Sequence, residues 1–241
     1  MPAPVSIIIP TLNAASGLGP TLEALIPGVV AGVITEVVIA DGGSEDDTRA
    51  LAEMAGATWI DAPRGRGSQL AAGAEAAKGA WFLFLHADSR PDPGWIDAIS
   101  EALEHPDQAA AFRLRFASDA VMARVTAGWA NLRSRVFALP YGDQGLLISR
   151  HHYHRIGGYD RIPLMEDVAI ARRIGRNIRL LPATVTTSPA RYQRRGWIRQ
   201  GAGNLMTLAR YAMGTPVDVL ARAYGRGDTA RDQDRDSASP N

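Results

Sequence analysis

The chain has 241 residues, and its 26 basic and 25 acidic side chains leave a net charge of +1. That balance excludes a nucleic-acid binder driven by bulk charge, although basic residues cluster late, at Arg191, Arg194, Arg195 and Arg199. There is no cysteine, so disulfides, zinc–thiolate sites and thiol catalysis are excluded. The length suits one large α/β domain, or one domain with a small appendage, and is enough to bury a core.

Met1-Pro2-Ala3-Pro4 leads straight into an apolar run, without the basic, apolar and cleavage segments of a signal peptide. A membrane-spanning helix needs roughly 18 or more continuous apolar residues. The run over 80–85 is too short, and that over 24–34 is broken by Pro27, Gly28 and Gly32. A cytoplasmic protein is expected, with contact at the inner face of the membrane left open.

Val5 to Pro10 is a β-branched run ended by proline and predicts a buried strand. Leu18 to Val30 has helical apolar spacing. Glu36 to Asp41 predicts a second buried strand, stopped by Gly42-Gly43. Ser44 stands three before Asp47, a helix-start pattern, so a helix is expected from there to about Ala55. Thr58 to Asp61 predicts a short strand, Ser68 to Ala77 an alanine-rich helix, Trp81 to Leu85 a strand, and Gly94 to Glu104 a helix. Strands alternating with helices imply βαβ units and a parallel sheet, whose ligands bind beyond the carboxyl ends of the strands. Thr11, Asn13, Asp41, His86 and Asp88 fall at those ends.

The second half is less regular. Ala109 to Phe116 and Leu146 to Ser149 predict strands, Asp119 to Ala138 a helix, and Tyr141 to Gly145 a turn. Met165 to Ile174 predicts a helix opening on two acids, Ile178 to Leu181 and Thr184 to Ser188 two extended segments, and Trp197 to Met213 and Pro216 to Tyr224 helices. From Gly225 to Asn241 the chain is charged and poor in apolar residues, so disorder is expected.

Four places could carry chemistry. Asp88 closes a strand, where a carboxylate suits a Mg²⁺ or Mn²⁺ ion that bridges diphosphate oxygens; an ordinary polar strand end is the alternative. Asp41-Gly42-Gly43-Ser44 suits close approach of backbone to a ligand, or forms a plain turn with Ser44 as helix cap. Arg64 to Gln69 is a glycine-punctuated basic loop opening a helix, suited to an anion, or merely an exposed loop. In Met165-Glu166-Asp167, one acid suits a general base, or both are simply the acidic first turn of a helix. Asp143-Gln144 and the histidines at 151, 152 and 154 read more readily as surface or packing residues.

In order and spacing, Ser6 to Asn13 followed by Glu36 to Thr48 resembles the start of the family 2 glycosyltransferases. Gly79 to Asp88 resembles their strand leading into an Asp-x-Asp motif, and Gly157 to Asp160 followed by Glu166-Asp167 their acceptor-side motif. The resemblance spans about residues 4 to 175. Within it, Gly65-Arg66-Gly67-Ser68-Gln69 and His86-Ala87-Asp88 are similar to a bacterial subgroup described as transferase 2, radical-SAM or selenodomain-associated.

The resemblance implies an α/β protein of GT-A fold, with a Rossmann-like, mostly parallel sheet flanked by helices and a C-terminal helical extension. It divides the chain into a transferase domain over 1–190 (donor half 1–116, acceptor half 117–190), an extension over 191–224 and a tail over 225–241. It implies an inverting transfer from a nucleotide-diphospho-sugar, assisted by Mg²⁺ or Mn²⁺. Pro10, Thr11, Asn13, Asp41, Ser44, Arg66, Gln69 and His86 would serve the nucleotide, with Asp41 at the base. Asp88 would hold the metal, and Asp167 would be the general base with Glu166 beside it. Gly158, Asp143, Gln193 and Trp197 would lie on the acceptor side. His86 departs from the pattern by replacing the first Asp of Asp-x-Asp. Gln193 to Trp197 matches only the ends of the Gln-x-x-Arg-Trp motif of processive members.

The acceptor is left open among a small molecule, a lipid and a glycan, and so are a homodimer and membrane contact through the C-terminal helices. A non-catalytic nucleotide-sugar binder and a sugar-1-phosphate nucleotidylyltransferase-like enzyme are the alternatives. The latter would need a glycine-rich Arg/Lys loop after the first strand, where Pro-Thr-Leu-Asn stands.

Overall fold

The computed structural model describes residues 4–224, so the tail expected to be disordered lies outside the described residues. The first half is a run of strand–helix units: β1 (Val5–Thr11), α1 (Ala15–Val30), β2 (Ile34–Asp41), α2 (Thr48–Met54), β3 (Thr58–Asp61), α3 (Arg66–Ala76) and β4 (Trp81–Phe84). Strand pairing is parallel from β3 to β2 to β1 to β4. The second half adds β5 (Ser89–Pro91), α4 (Trp95–Leu103), β6 (Ala109–Phe116), α5 (Val121–Phe137), a 3-10 turn at Gly142–Gln144, β7 (Leu146–Ser149), α6 (Arg150–Arg155), α7 (Glu166–Ile174) and β8 (Ile178–Thr187). Helices α8 (Ala190–Arg195) and α9 (Trp197–Ala212) follow, and 217–224 is helical.

All eight strands form one sheet in the order β3-β2-β1-β4-β7-β6-β8-β5. Only β7, antiparallel to β4 and β6, and β5, antiparallel to β8, run against the rest. Alternation along β1 shows how the sheet is covered. Ile7 and Ile9 join one apolar layer with Leu18, Leu83, Ile99 and Phe112, while Ile8 joins the other with Leu70, Phe82, Phe84 and Ile170. A strand buried on both faces is apolar almost throughout, which is why Val5 to Pro10, interrupted only by Ser6 with its hydroxyl bonded to Glu36, carries so clear a signal.

Three differences from the sequence reading have physical causes. Ser44 does not start a helix: α2 begins at Thr48 with Asp47 at its N-cap, and the Ser44 side chain turns back to Asp41. The two extended segments expected around Pro182 are one strand, β8, whose parallel pairing with β6 shifts register between Ala111 and Arg113. That irregularity accommodates an exposed proline inside the strand. Finally, β5, α6 and α8 are three to six residues long, too short to set up a readable period.

Candidate active site

At the carboxyl ends of β1 and β2 the residues of the expected nucleotide pocket hold one another. Asp41 is buried and accepts four hydrogen bonds. Thr11 Oγ1 (2.8 Å) and Ser44 Oγ (2.5 Å) donate to Oδ1, and the N–H groups of Gly43 (2.8 Å) and Ser44 (2.6 Å) donate to Oδ2. Burial pushes its carboxyl up, but these donors outweigh it and hold the group below the usual carboxylate value. Asn13, with φ of 49°, donates its N–H to Ser44 Oγ and accepts from Glu45 N–H, fixing the loop after β1. Pro10 is the half-buried next-to-last residue of β1. Gln69, also buried, donates to the Thr11 and Ala40 carbonyls at 2.6 and 2.9 Å and so ties α3 to both strand ends.

Beyond β4 the chain turns through His86, Ala87 and Asp88. Helix α1 supports this turn: Thr21 Oγ1 donates to the Ala87 carbonyl at 2.8 Å, and Gly17 lies so close that a Cβ there would be 3.0 Å from that of Asp88. Asp88 opens to the cavity but is walled by protein. Burial pushes its carboxyl up, opposed by Arg66, its own backbone N–H and Arg191. Burial, then the same two arginines, hold His86 well below its ordinary value, so the imidazole is neutral. Its ring lies under Gly142, where a Cβ would come within 2.5 Å of Nε2.

The second half brings its acids to the same place. Met165 precedes α7 with φ of 68°, a left-handed conformation costly for a non-glycine residue, and presents Glu166 and Asp167 at the helix start. Both Asp167 oxygens are held by backbone: Gly142 N–H donates to Oδ2 (3.1 Å) and Val168 N–H to Oδ1 (2.7 Å). Burial and then the neighbouring Asp167 push Glu166 up to about 7. Burial raises Asp143 to about 6, Arg133 opposes this and Asp167 adds to it. Asp143 Oδ1 is buried without a hydrogen-bond partner.

The turn carrying Asp143 is fixed from below by buried Gln144. Its Oε1 accepts from Ser134 Oγ at 2.6 Å, and its Nε2 donates to the Phe112 carbonyl at 3.1 Å. Arg133 stacks over the Tyr141 ring at 3.4 Å.

These groups line one cavity of about 330 Å³ that contains Arg66, His86, Asp88, Asp143, Glu166 and Asp167. The sequence reading had assigned all six of them. The cavity also takes Tyr141, Arg191, Tyr192, Arg194, Gln200, Asn204 and Tyr224, which it had not. Gln200 Nε2 donates to Asn204 Oδ1 (2.9 Å) and Tyr224 OH (3.3 Å), Asn204 Nδ2 to Tyr192 OH (3.3 Å), and Arg191 to Tyr224 OH (3.2 Å). The late arginine cluster was the one sequence signal for this wall.

Pro10, Thr11, Asn13, Asp41, Ser44 and Gln69 do not line the cavity, and neither do Gly158, Gln193 and Trp197. Gly158, with φ of 65°, packs on the Tyr153 ring. Gln193 is exposed. Trp197 stacks on Tyr192 at 5.0 Å and meets Phe116 at 5.1 Å, pinning α9 to the end of β6.

A mostly parallel sheet with carboxylates and arginines gathered beyond its strand ends, closed by an acid-bearing second half, is the architecture of the GT-A glycosyltransferases. The chain belongs to glycosyl transferase family 2, whose description matches residues 6–161. S. aureus TarS 1-349 is similar in structure with a TM-score of 0.59 at 13% identity, over 85% of this chain and 64% of that one. The chain therefore spans less than two thirds of that protein's length. The same TarS fragment in complex with UDP-GlcNAc matches at the same TM-score and identity, over 77% of this chain and 58% of that one. Mycobacterium tuberculosis glucosyl-3-phosphoglycerate synthase, in complex with Mn²⁺, UDP and glucosyl-3-phosphoglycerate, matches with a TM-score of 0.54 at 18% identity, over 85% and 79% of the two chains. No curated protein matches the sequence.

Proposed function

We propose that the protein moves a sugar from a nucleotide-diphospho-sugar to an acceptor hydroxyl with inversion at the anomeric carbon. The observation that carries this reading is the shared cavity, in which Arg66, His86 and Asp88 of the donor half meet Asp143, Glu166 and Asp167 of the acceptor half. The nucleotide lies over the ends of β1 and β2, its base against the turn that Asp41 organises with Thr11, Asn13 and Ser44. Arg66 and Arg191, which act on His86 and Asp88 together, face the diphosphate and counter the charge that grows as it departs.

Asp167, held in place by two backbone donors, takes the acceptor proton. The acceptor oxygen bonds to the sugar carbon from one face as the carbon–phosphate-oxygen bond breaks on the other, and the nucleoside diphosphate leaves. Glu166 and Asp143, both raised into the range where they titrate near neutrality, set the field around that proton.

Among the described residues no group of three or more His, Cys, Asp or Glu is placed to hold a metal. The set offered at the cavity is Asp88 beside neutral His86. Mg²⁺ and Mn²⁺ use one or two protein carboxylates and complete their shells with phosphate oxygens, so these residues fit an ion that arrives with the donor. When bound, such an ion neutralises charge on the diphosphate. The subgroup resemblance rests on Arg66, Gln69 and the His86–Asp88 turn alone.

A thermal-shift panel of UDP-, GDP- and dTDP-sugars with Mg²⁺ and Mn²⁺ tests the reading, because a ligand of the folded state raises its apparent stability. One donor class should shift the melt and be turned over with a suitable acceptor. No shift with any donor would overturn donor binding, and a shift without hydrolysis or transfer would leave a non-catalytic binder in its place.

A further inference from the structure

Helices α5 and α9 touch each other, and both turn apolar side chains outward. On α5, Val121, Val125, Trp129, Leu132 and Val136 recur every three or four residues and are each more than half exposed (52–65%). On α9, Ile198, Leu205 and Met206 are 56–76% exposed, and Met213 follows at 77%. A surface helix ordinarily buries its apolar stripe. Two adjacent helices presenting theirs to solvent form a contact surface.

The charge carried by the two helices has one sign. Neither helix contains an acid, whereas Arg124, Arg135, Arg199 and Arg210 are exposed on them. The nearest acids in sequence, Asp119 and Asp218, lie outside both helices. Beside the stripe a groove is lined by Arg113, Asn131, Leu132, Arg135 and Leu180, again without an acid. Neither Arg113 nor Arg135 forms a salt bridge among the described residues.

We infer that this face docks on an anionic lipid surface, with the apolar stripes entering the interface and the Arg113–Arg135 groove taking a phosphate headgroup. Apolar residues including tryptophan, set among arginines and free of acids, suit the boundary between headgroups and acyl chains. A second copy of the chain fits poorly. In a two-fold contact the same patch faces itself, so arginines would oppose arginines with no carboxylate from either helix or from the groove lining to pair them. The inference does not rest on the transferase reading, since none of these side chains lines the active-site cavity.

The 241-residue chain is sedimented with vesicles of phosphatidylcholine alone and with about one third phosphatidylglycerol, at low and at 0.5 M salt. Binding is expected only to the anionic vesicles and should fall at high salt. Arg113→Gln/Arg135→Gln should weaken it by about thirtyfold, the worth of two arginines near such a surface. Trp129→Ser/Leu132→Ser should weaken it independently of salt. Thermal melts and donor affinity unchanged from the parent show that each variant is folded. Absence of sedimentation, equal binding to neutral vesicles, or a stable dimer abolished by Trp129→Ser/Leu132→Ser would overturn the inference.

Discussion

Asp167 and Glu166 are adjacent in sequence, yet their surroundings assign them different work. Asp167 receives a backbone N–H on each oxygen, which orients the carboxylate. Glu166 is buried and is pushed up to about 7. Asp167→Asn keeps the shape and removes the proposed base. Transfer should fall by about 10²–10⁴-fold with donor affinity unchanged by calorimetry, and retained turnover would refute the assignment. Glu166→Gln tests the buried charge through stability. The folded-state value of Glu166 lies above its ordinary 4.5, so the folded protein binds more protons than the unfolded chain between those values, and stability falls as pH rises through the window. Glutamine cannot ionise. Glu166→Gln should therefore be more stable than the parent by about 3 kcal/mol at pH 8, and close to it near pH 4.5, in urea titrations at the two pH values. A gain of the same size at both would show that packing, not charge, is responsible.

At the level of elements, the site depends on a crossing that no sequence period reveals. Helix α3 meets the loop after Gly158 at Gly67, where a Cβ would stand 2.1 Å from the Asp160 carbonyl oxygen and 2.7 Å from that of Ile162. Backbone is on both sides, so neither can yield cheaply. Gly67→Ala should lose about 1–3 kcal/mol of stability and weaken donor binding, because Arg66 is carried on the same turn. Gly19→Ala, in open space on α1, should be neutral or slightly stabilising. If the two variants melt alike, the crossing is not a constraint. The contrast shows what was legible. Strands β1, β2 and β4 announce themselves because burial on both faces demands unbroken apolar runs, and their polar ends mark Asp41 and Asp88. Asp143, Glu166 and Asp167 could be named, but not their convergence. Gln69 reads from the sequence as a nucleotide residue and Gln144 as a surface or packing one, and only tertiary contact makes the first a clamp on two strand ends and the second the support of the Asp143 turn. The wall formed by Tyr192, Gln200, Asn204 and Tyr224 was illegible because its hydrogen bonds join residues far apart in the chain, 12 between Asn204 and Tyr192 and 24 between Gln200 and Tyr224.

Over the whole molecule, the cavity draws on residues from Arg66 to Tyr224, so its lining comes from separate stretches of chain. No helix among the described residues is long and apolar enough to cross a membrane, and helices α8 and α9 contribute one wall of the cavity. A donor that fills such a cavity stabilises the folded state by RT ln(1 + [L]/Kd), about 2.7 kcal/mol at a hundredfold excess over Kd. That stabilisation is shared by every segment that contacts the ligand or that must be folded for the ligand to bind. Hydrogen exchange with and without the preferred nucleotide-sugar should therefore show slowed exchange in three places at once: the turns after β1, β2 and β4, the start of α7, and 190–204 in α8 and α9. The last is the discriminating region, since Arg191, Arg194, Gln200 and Asn204, which line the cavity, lie far along the chain from the strand ends proposed to carry the nucleotide. Protection confined to 4–116 would mean that the donor binds without the wall of α8 and α9. The arginine of α8 would then have to be removed from the account of diphosphate departure, leaving Arg66 and any ion held at Asp88 to counter that charge.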